Sequence, residues 1–240
     1  MAAKEILFFR VSWMVKTVLG IGAHYDDCVF GIPGILLQAV RKNHRVVILS
    51  LIGDYTNWRP VRGREKELIR GTVELCAEFG VEKQFLDFSE MKFDVEVNAK
   101  RKVAEAIARI QPDVAFMLWP HDRHSDHEVT SRLSSITLRH GDRLLRPALQ
   151  FKPPAQTFWY DNGPRHTIGF EPNTFVDITD EWPKALEWLG RLMALSGNVP
   201  YDPQQPQRAK EALAQYRGQT CGVRYAEALC SFNTYPQEIL

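Results

Sequence analysis

Cysteine is scarce in this 240-residue chain: Cys28, Cys76, Cys221 and Cys230 are the four, far apart and without a C-x-x-C pair. That excludes a disulfide scaffold and fits reduced thiols in a cytoplasmic protein. A surplus of charge is missing as well, with 30 Lys and Arg against 29 Asp and Glu and a formal net charge of +1. Nucleic acid is therefore not an expected partner, since gripping a phosphate backbone takes many cationic contacts. No apolar run reaches about 18 residues, so no membrane span is expected. Arg10 and Lys16 interrupt the apolar start, and no A-x-A site follows, which argues against a signal peptide. With 45% hydrophobic and 25% charged residues, what remains is an ordinary globular composition able to bury a sizeable core.

Several motifs are also lacking. G-I-G-A-H-Y holds two glycines of a G-x-G-x-x-G fingerprint, but Tyr25 stands where the third belongs. His127-Glu128 opens like H-E-x-x-H, yet Ser131 occupies the second histidine position. G-x-S-x-G and the Walker A loop are absent.

What is present is an alternation of strand and helix patterns. Thr17 to Ala23 reads as a buried strand and Ile32 to Asn43 as its helix; Arg45 to Ile52 and Arg64 to Phe79 repeat the pair. Lys83 to Phe88 and Val95 to Ile110 form a third unit, and Asp113 to Trp119 a fourth strand, followed by a helix through about Leu138 that Gly141 is expected to stop. Near-continuous apolar strands separated by helices predict an α/β fold: a Rossmann-like, mostly parallel sheet with helices on both faces. From Leu149 onward the chain reads as an irregular C-terminal extension. It holds strand-like stretches at Gln156 to Tyr160 and Thr174 to Ile178, a helix at Trp182 to Leu195 capped by Asp180, a loop at Pro200 to Pro206, and a helix at Gln207 to Tyr216. No linker divides the chain, so residues 1–240 are expected to form a single domain.

Ligands of open parallel sheets bind at the carboxyl ends of strands, and there this sequence concentrates His and Asp. The first such edge reads A-H-Y-D-D-C, Ala23 to Cys28; the fourth reads H-D-R-H-S-D-H, His121 to His127. Either cluster alone fits a hydrogen-bonded loop. Together they hold enough imidazole and carboxylate for a two-His-one-carboxylate metal site with groups left over for acid-base work.

These residues carry a family resemblance. A-H-Y-D-D-C resembles the A-H-P-D-D-E motif of the PIG-L/LmbE-like deacetylases, and H-S-D-H resembles that family's H-P-D-H. Arg64 to Glu67 is similar to its R-x-x-E, and R-G-Q-T-C-G-V-R-Y-A-E-A-L, Arg217 to Leu229, to its C-terminal R-G…G-V-x-Y-A-E-A-F segment. The resemblance implies a zinc-dependent hydrolase that removes an N-acyl group, chiefly acetyl, from an amino sugar such as N-acetylglucosamine or a related small conjugate. It implies zinc ligands His24, Asp27 and His127, Asp26 as general base, His124 as oxyanion-stabilising or proton-donating imidazole, and Asp126 as the group that orients His124. Ferrous iron suits the same ligand set.

Three departures stand beside it: Tyr25 replaces the usual proline, Cys28 the usual glutamate, and A-L-S-G-N at 194–198 lacks the family's S-Q. Cys28 is expected to behave as a small buried hydrophobe. Arg64 and Asp54 are the expected contacts to the sugar or its phosphate, and Tyr55 and Trp58 are candidates to stack on a ring face. Trp159 and Tyr160 are expected in the core, and His121 and Asp122 around the ligands or in solvent. The alternatives that remain are a pocket-bearing binding module without turnover and a metal hydrolase of another amide or ester. A homo-oligomer is compatible with all of them.

Overall fold

The computed structural model describes residues 15–145, 149–203 and 207–232. The apolar start at 1–14 and part of the loop expected at 200–206 lie outside them. Strands β1 (Thr17–Gly22), β2 (Arg45–Asp54), β3 (Glu82–Ser89), β4 (Val114–Leu118) and β5 (Gln156–Tyr160) pair in parallel. Strands β6 (Thr174–Asp177) and β7 (Ala226–Ser231) complete a seven-stranded sheet in the order β3-β2-β1-β4-β5-β7-β6, both of β7's pairings being antiparallel. The chain builds outward from β1 to β3 and then returns to place β4 on β1's other side. The carboxyl ends of β1 and β4 therefore flank the point where strand order reverses, the usual crevice for a ligand.

Alternation along the strands feeds two cores. Val46, Ile48 and Ile52 of β2 face one cluster, while Val47, Leu49 and Leu51 face the other. The first is covered by α1 (Asp27–Gly31), α2 (Pro33–Arg41), α3 (Glu65–Glu78), α6 (Trp182–Gly197) and α7 (Arg208–Cys221), the second by α4 (Val97–Ile110) and α5 (Ser125–Leu144). The mostly parallel sheet covered on both faces is as the apolar strands predicted.

Three expectations are corrected. The helix placed at Ile32 to Asn43 begins at Asp27 and breaks once, at Ile32 (φ −135°), because the residue before Pro33 is barred from the helical region. Gly141 does not stop α5, which continues through a kink at His140 to Leu144. That glycine instead makes room for Phe151, whose ring lies where a Cβ would stand. The C-terminal part from Leu149 is not an irregular extension, since it adds three strands, β5, β6 and β7, to the sheet and two helices to its face, α6 being capped at Glu181 rather than Asp180. Glu227 of β7, 2% exposed, accepts from the Gly34 and Ile35 amides at 3.1 and 2.9 Å and pairs with buried Lys210 at 3.1 Å. Lys210 also donates to the Gly31 carbonyl at 2.8 Å. The tail thus fastens the α1–α2 corner, which begins at Asp27.

The cysteines are all free. Burial pushes the Cys28 thiol up to about 12 and the Cys76 thiol to about 11, whereas Cys221 is exposed. Only thiolates alkylate readily. Iodoacetamide at pH 8 is expected to label Cys221 in the native protein and to leave Cys28 and Cys76 unmodified until denaturant is added, as peptide mass mapping will show.

Candidate active site

Two loops meet at the switch point. The first follows β1 and holds its carboxylates at the start of α1, with Asp26 at the cap position and Asp27 in the first turn. The second follows β4, and His124 caps α5, its Nδ1 accepting the Asp126 amide at 3.3 Å. Asp126 and His127 occupy that helix's first turn, both buried.

His24 Nδ1 and His127 Nε2 face one another at 3.2 Å, and Asp27 Oδ1 lies 3.2 Å from the same His127 nitrogen. Asp27 is held by the His24 amide, 2.7 Å from Oδ2, and by Asn162 Nδ2, 2.8 Å from Oδ1. Two ring nitrogens facing one another need a shared proton or a cation, and a divalent ion satisfies both together with the carboxylate. Their ligand atoms lie within 4.8 Å of one another, so the donor set fits zinc or ferrous iron.

The far nitrogen of each histidine meets a carboxylate. His127 Nδ1 is 3.1 Å from Asp122 Oδ2, and His24 Nε2 is 3.4 Å from Asp126 Oδ2. Such carboxylate contacts fix tautomer and ring orientation in metal-ligating histidines. Asp126 was expected to orient His124, but its carboxylate is closer to His24 than to His124 Nδ1, which is 4.0 Å away, and it also accepts the Met91 amide at 3.1 Å.

Electrostatics follow from the crowding. Burial and the neighbouring Asp27 push Asp26 up to about 6, whereas His127 and His24 outweigh burial and hold Asp27 well below the usual carboxylate range. Burial works against charge on His24 and His127, yet Asp27 raises both, with help from Asp126 at His24 and Asp122 at His127. His124 is lowered, first by burial and then by the positive charge of its two histidine neighbours.

These groups open into a cavity of about 590 Å³ lined by His24, Asp26, Asp27, His124 and His127. On one side it is walled by Tyr25, Tyr55 and Trp58, which pack together with ring centroids 5.9–6.1 Å apart. Tyr55 also explains how Tyr25 is tolerated in place of proline, since its hydroxyl accepts the extra Tyr25 amide at 2.8 Å. Cys28 is buried with Sγ 3.4 Å from the Tyr160 hydroxyl. Tyr160 itself sits in the core with its hydroxyl bonded to the Ile21 carbonyl, and Trp159 packs edge-on against Phe232.

Two expected substrate contacts lie elsewhere. Asp54 is engaged by Thr56 and Ser89, whose hydrogen bonds lower it to about 2, and Arg64 donates to the Pro60 and Ser196 carbonyls at 3.0 and 3.2 Å. Neither lines the cavity. Replacing Arg64 by alanine is accordingly expected to leave KM within about twofold of the parent in a steady-state assay. Glu90, Asn162 and His166 line the cavity without having been singled out from sequence. All three follow the carboxyl ends of β3 and β5, so the edge rule that found His24 and His127 also reaches them.

Comparison with known proteins gives a consistent picture. Residues 19–137 match the PIG-L family, described as GlcNAc-PI de-N-acetylase. A diacetylchitobiose deacetylase of Thermococcus kodakarensis is 27% identical over 231 residues, covering 90% of this chain and 82% of the relative. In structure, the N,N'-diacetylchitobiose deacetylase of Pyrococcus horikoshii superposes with a TM-score of 0.74 at 22% identity, covering 91% of this chain and 84% of that one. A 4-carboxy-2-hydroxymuconate hydratase of Pseudomonas putida shares the fold with a TM-score of 0.75 at 17% identity, covering 94% of this chain and 100% of that one.

Proposed function

Since the chain carries the PIG-L family domain over residues 19–137, we propose that it is a metal-dependent N-deacetylase of amino sugars or their small conjugates, acting as one domain over residues 1–240. The observation that carries this reading is the convergence of His24 Nδ1, an Asp27 carboxylate oxygen and His127 Nε2 beside Asp26 in the cavity. The deacetylase relatives support the amide of an N-acetyl sugar as the bond attacked. Zinc is the proposed ion, with ferrous iron the alternative. When bound, it supplies a Lewis acid and lowers the pKa of water.

The chain's own residues then have separate tasks. Asp26 takes the proton of the attacking water and passes it to the amine nitrogen as the C–N bond breaks, since its carboxylate lines the cavity beside Asp27. His124 donates a hydrogen bond to the oxygen that gains negative charge. Its Nδ1 already accepts the Asp126 amide, which leaves Nε2 as the N–H donor. Burial and neighbouring positive charge lower its pKa, which favours hydrogen-bond donation by the neutral ring. Asp122 and Asp126 orient His127 and His24. The aromatic wall of Tyr25, Tyr55 and Trp58 offers an apolar face to a sugar ring.

Among the described residues no helix is long and apolar enough to cross a membrane. Four free cysteines are in keeping with a reducing compartment and support the proposed cytoplasmic location. The test is an end-point assay of zinc-loaded protein on N-acetylglucosamine, diacetylchitobiose, N-acetylated glycoconjugates and acetyl esters. Equal amounts of acetate and free amine from at least one sugar are expected; release from esters alone, or from nothing, overturns the reading.

A further inference from the structure

The turn that carries His24, Tyr25 and Asp26 has almost every backbone polar group tied down from outside. The His24 amide meets Asp27 and the Tyr25 amide meets the Tyr55 hydroxyl. The Ile52 amide reaches across to the Ala23 carbonyl at 2.9 Å, and the Phe30 amide to the Asp26 carbonyl at 2.8 Å. The two remaining carbonyls are claimed by a buried polar pair from neighbouring strands. Lys83 of β3, 7% exposed, donates to the Tyr25 carbonyl at 2.9 Å and to Ser50 Oγ at 2.7 Å. Ser50 of β2, fully buried, donates in turn to the His24 carbonyl at 2.5 Å.

The direction of this relay is fixed. An ammonium only donates, so Ser50 accepts from Lys83 and has its single O–H left for His24. The Nζ also lies 4.7 Å from the centre of the Phe85 ring. Among the described residues no carboxylate lies within ion-pair distance of Lys83; burial lowers its pKa, and Asp27 and Asp26 favour its charge only at longer range. A lysine buried without a carboxylate in contact carries a desolvation cost that a leucine or methionine on the strand would avoid. Such a cost persists where the charge serves something other than stability.

We propose that Lys83 is a positioning residue for the site, holding the Tyr25 carbonyl directly and the His24 carbonyl through Ser50 so that His24 and Asp27 stay aimed at His127. The lock acts on the backbone of one proposed ligand and of the residue between it and Asp26. It therefore governs how well the donor set is formed before any ion arrives. This inference rests on the metal-site reading proposed above, and the experiment separates the two.

The test compares Lys83→Met, which keeps the apolar stem, and Ser50→Ala with the parent full-length protein. Zinc affinity is read by competition with a chelating dye, turnover by kcat and KM, folding by thermal melting, and loop order by amide hydrogen exchange at residues 24–27 in metal-free protein. The expected result is a zinc Kd weakened about tenfold or more, the size of effect that loss of a ligand's supporting contact has. A fall in kcat with KM within about twofold, and faster exchange at residues 24–27, are expected with it. A purely structural lysine would lower the melting temperature while leaving the folded fraction's zinc affinity and kcat unchanged, and that result overturns the proposal. Should Lys83→Met fail to fold, Ser50→Ala decides alone by the same readouts. A parent protein that takes up no zinc sinks the metal-site reading, while unchanged exchange at residues 24–27 in the metal-free variants sinks the lock.

Discussion

Asp26→Asn is expected to lower kcat by roughly 100- to 10,000-fold, the range that a positioned general base contributes, while the zinc content of the purified protein stays that of the parent. The two parts of this result separate neighbours in sequence. Asp27 is bonded to the His24 amide and to Asn162, with an oxygen 3.2 Å from His127 Nε2, whereas Asp26 lines the cavity beside it. Asparagine keeps the size of the side chain and the start of α1, so packing is conserved and only the proton acceptor is lost. Burial and the charge of Asp27 push Asp26 up to about 6, and a bound cation pulls it back toward the ordinary range. A base works when ionised, so kcat/KM rises with pH through a midpoint at or below about 6 in the parent, and that acid limb disappears from the residual activity of the variant. Full activity in Asp26→Asn removes the general-base assignment. Loss of zinc in it moves Asp26 into the ligand set.

How much of this site was legible in the sequence follows from what each residue depends on. His24, Asp27 and His127 sit at fixed places relative to β1 and β4, and strand ends are readable from apolar runs. The pairing of carboxylate to imidazole was not readable. Asp126 lies two residues after His124, so proximity in sequence suggested that partner, but the first turn of α5 carries its carboxylate toward His24 instead. Arg64 shows the same limit, since it stands at the cap position of α3 and its reach toward Ser196 depends on how α6 packs against α3. Asn162 and His166 reach the cavity through the loop after β5, whose path is set by contacts such as the Arg123 amide on the His166 carbonyl at 2.9 Å. β7 escaped notice because its six residues include Glu227, a charged side chain that only makes sense once Lys210 and the start of α2 are seen around it. Local pattern located the strands and the residues at their ends; long-range packing decided which of those residues touch.

Asp27→Ala removes the carboxylate that both histidines face, and the expected result is loss of the metal itself. Elemental analysis of metal-supplemented parent protein should find about one zinc or iron per chain, against a small fraction of that in the variant, because two neutral imidazoles alone are a poor cage for a divalent ion. In the metal-free protein the same carboxylate, with Asp126 and Asp122 behind the rings, raises the pKa of His24 and His127 against the cost of burial. Nitrogens 3.2 Å apart do not hold two protons comfortably between them, and the carboxylates that raise both rings keep one there at neutral pH. An entering ion must expel it. Apparent affinity therefore strengthens as pH rises, by about tenfold or more per unit from pH 6 to 8, and the slope flattens only above the raised histidine pKa values. In Asp27→Ala the raising charge is gone, the histidines titrate lower, and whatever weak binding remains loses its pH dependence at a lower pH than in the parent. Chelator competition across that pH range checks both limbs. A parent whose zinc affinity is flat from pH 6 to 8 would mean that the facing histidines are not the ligands.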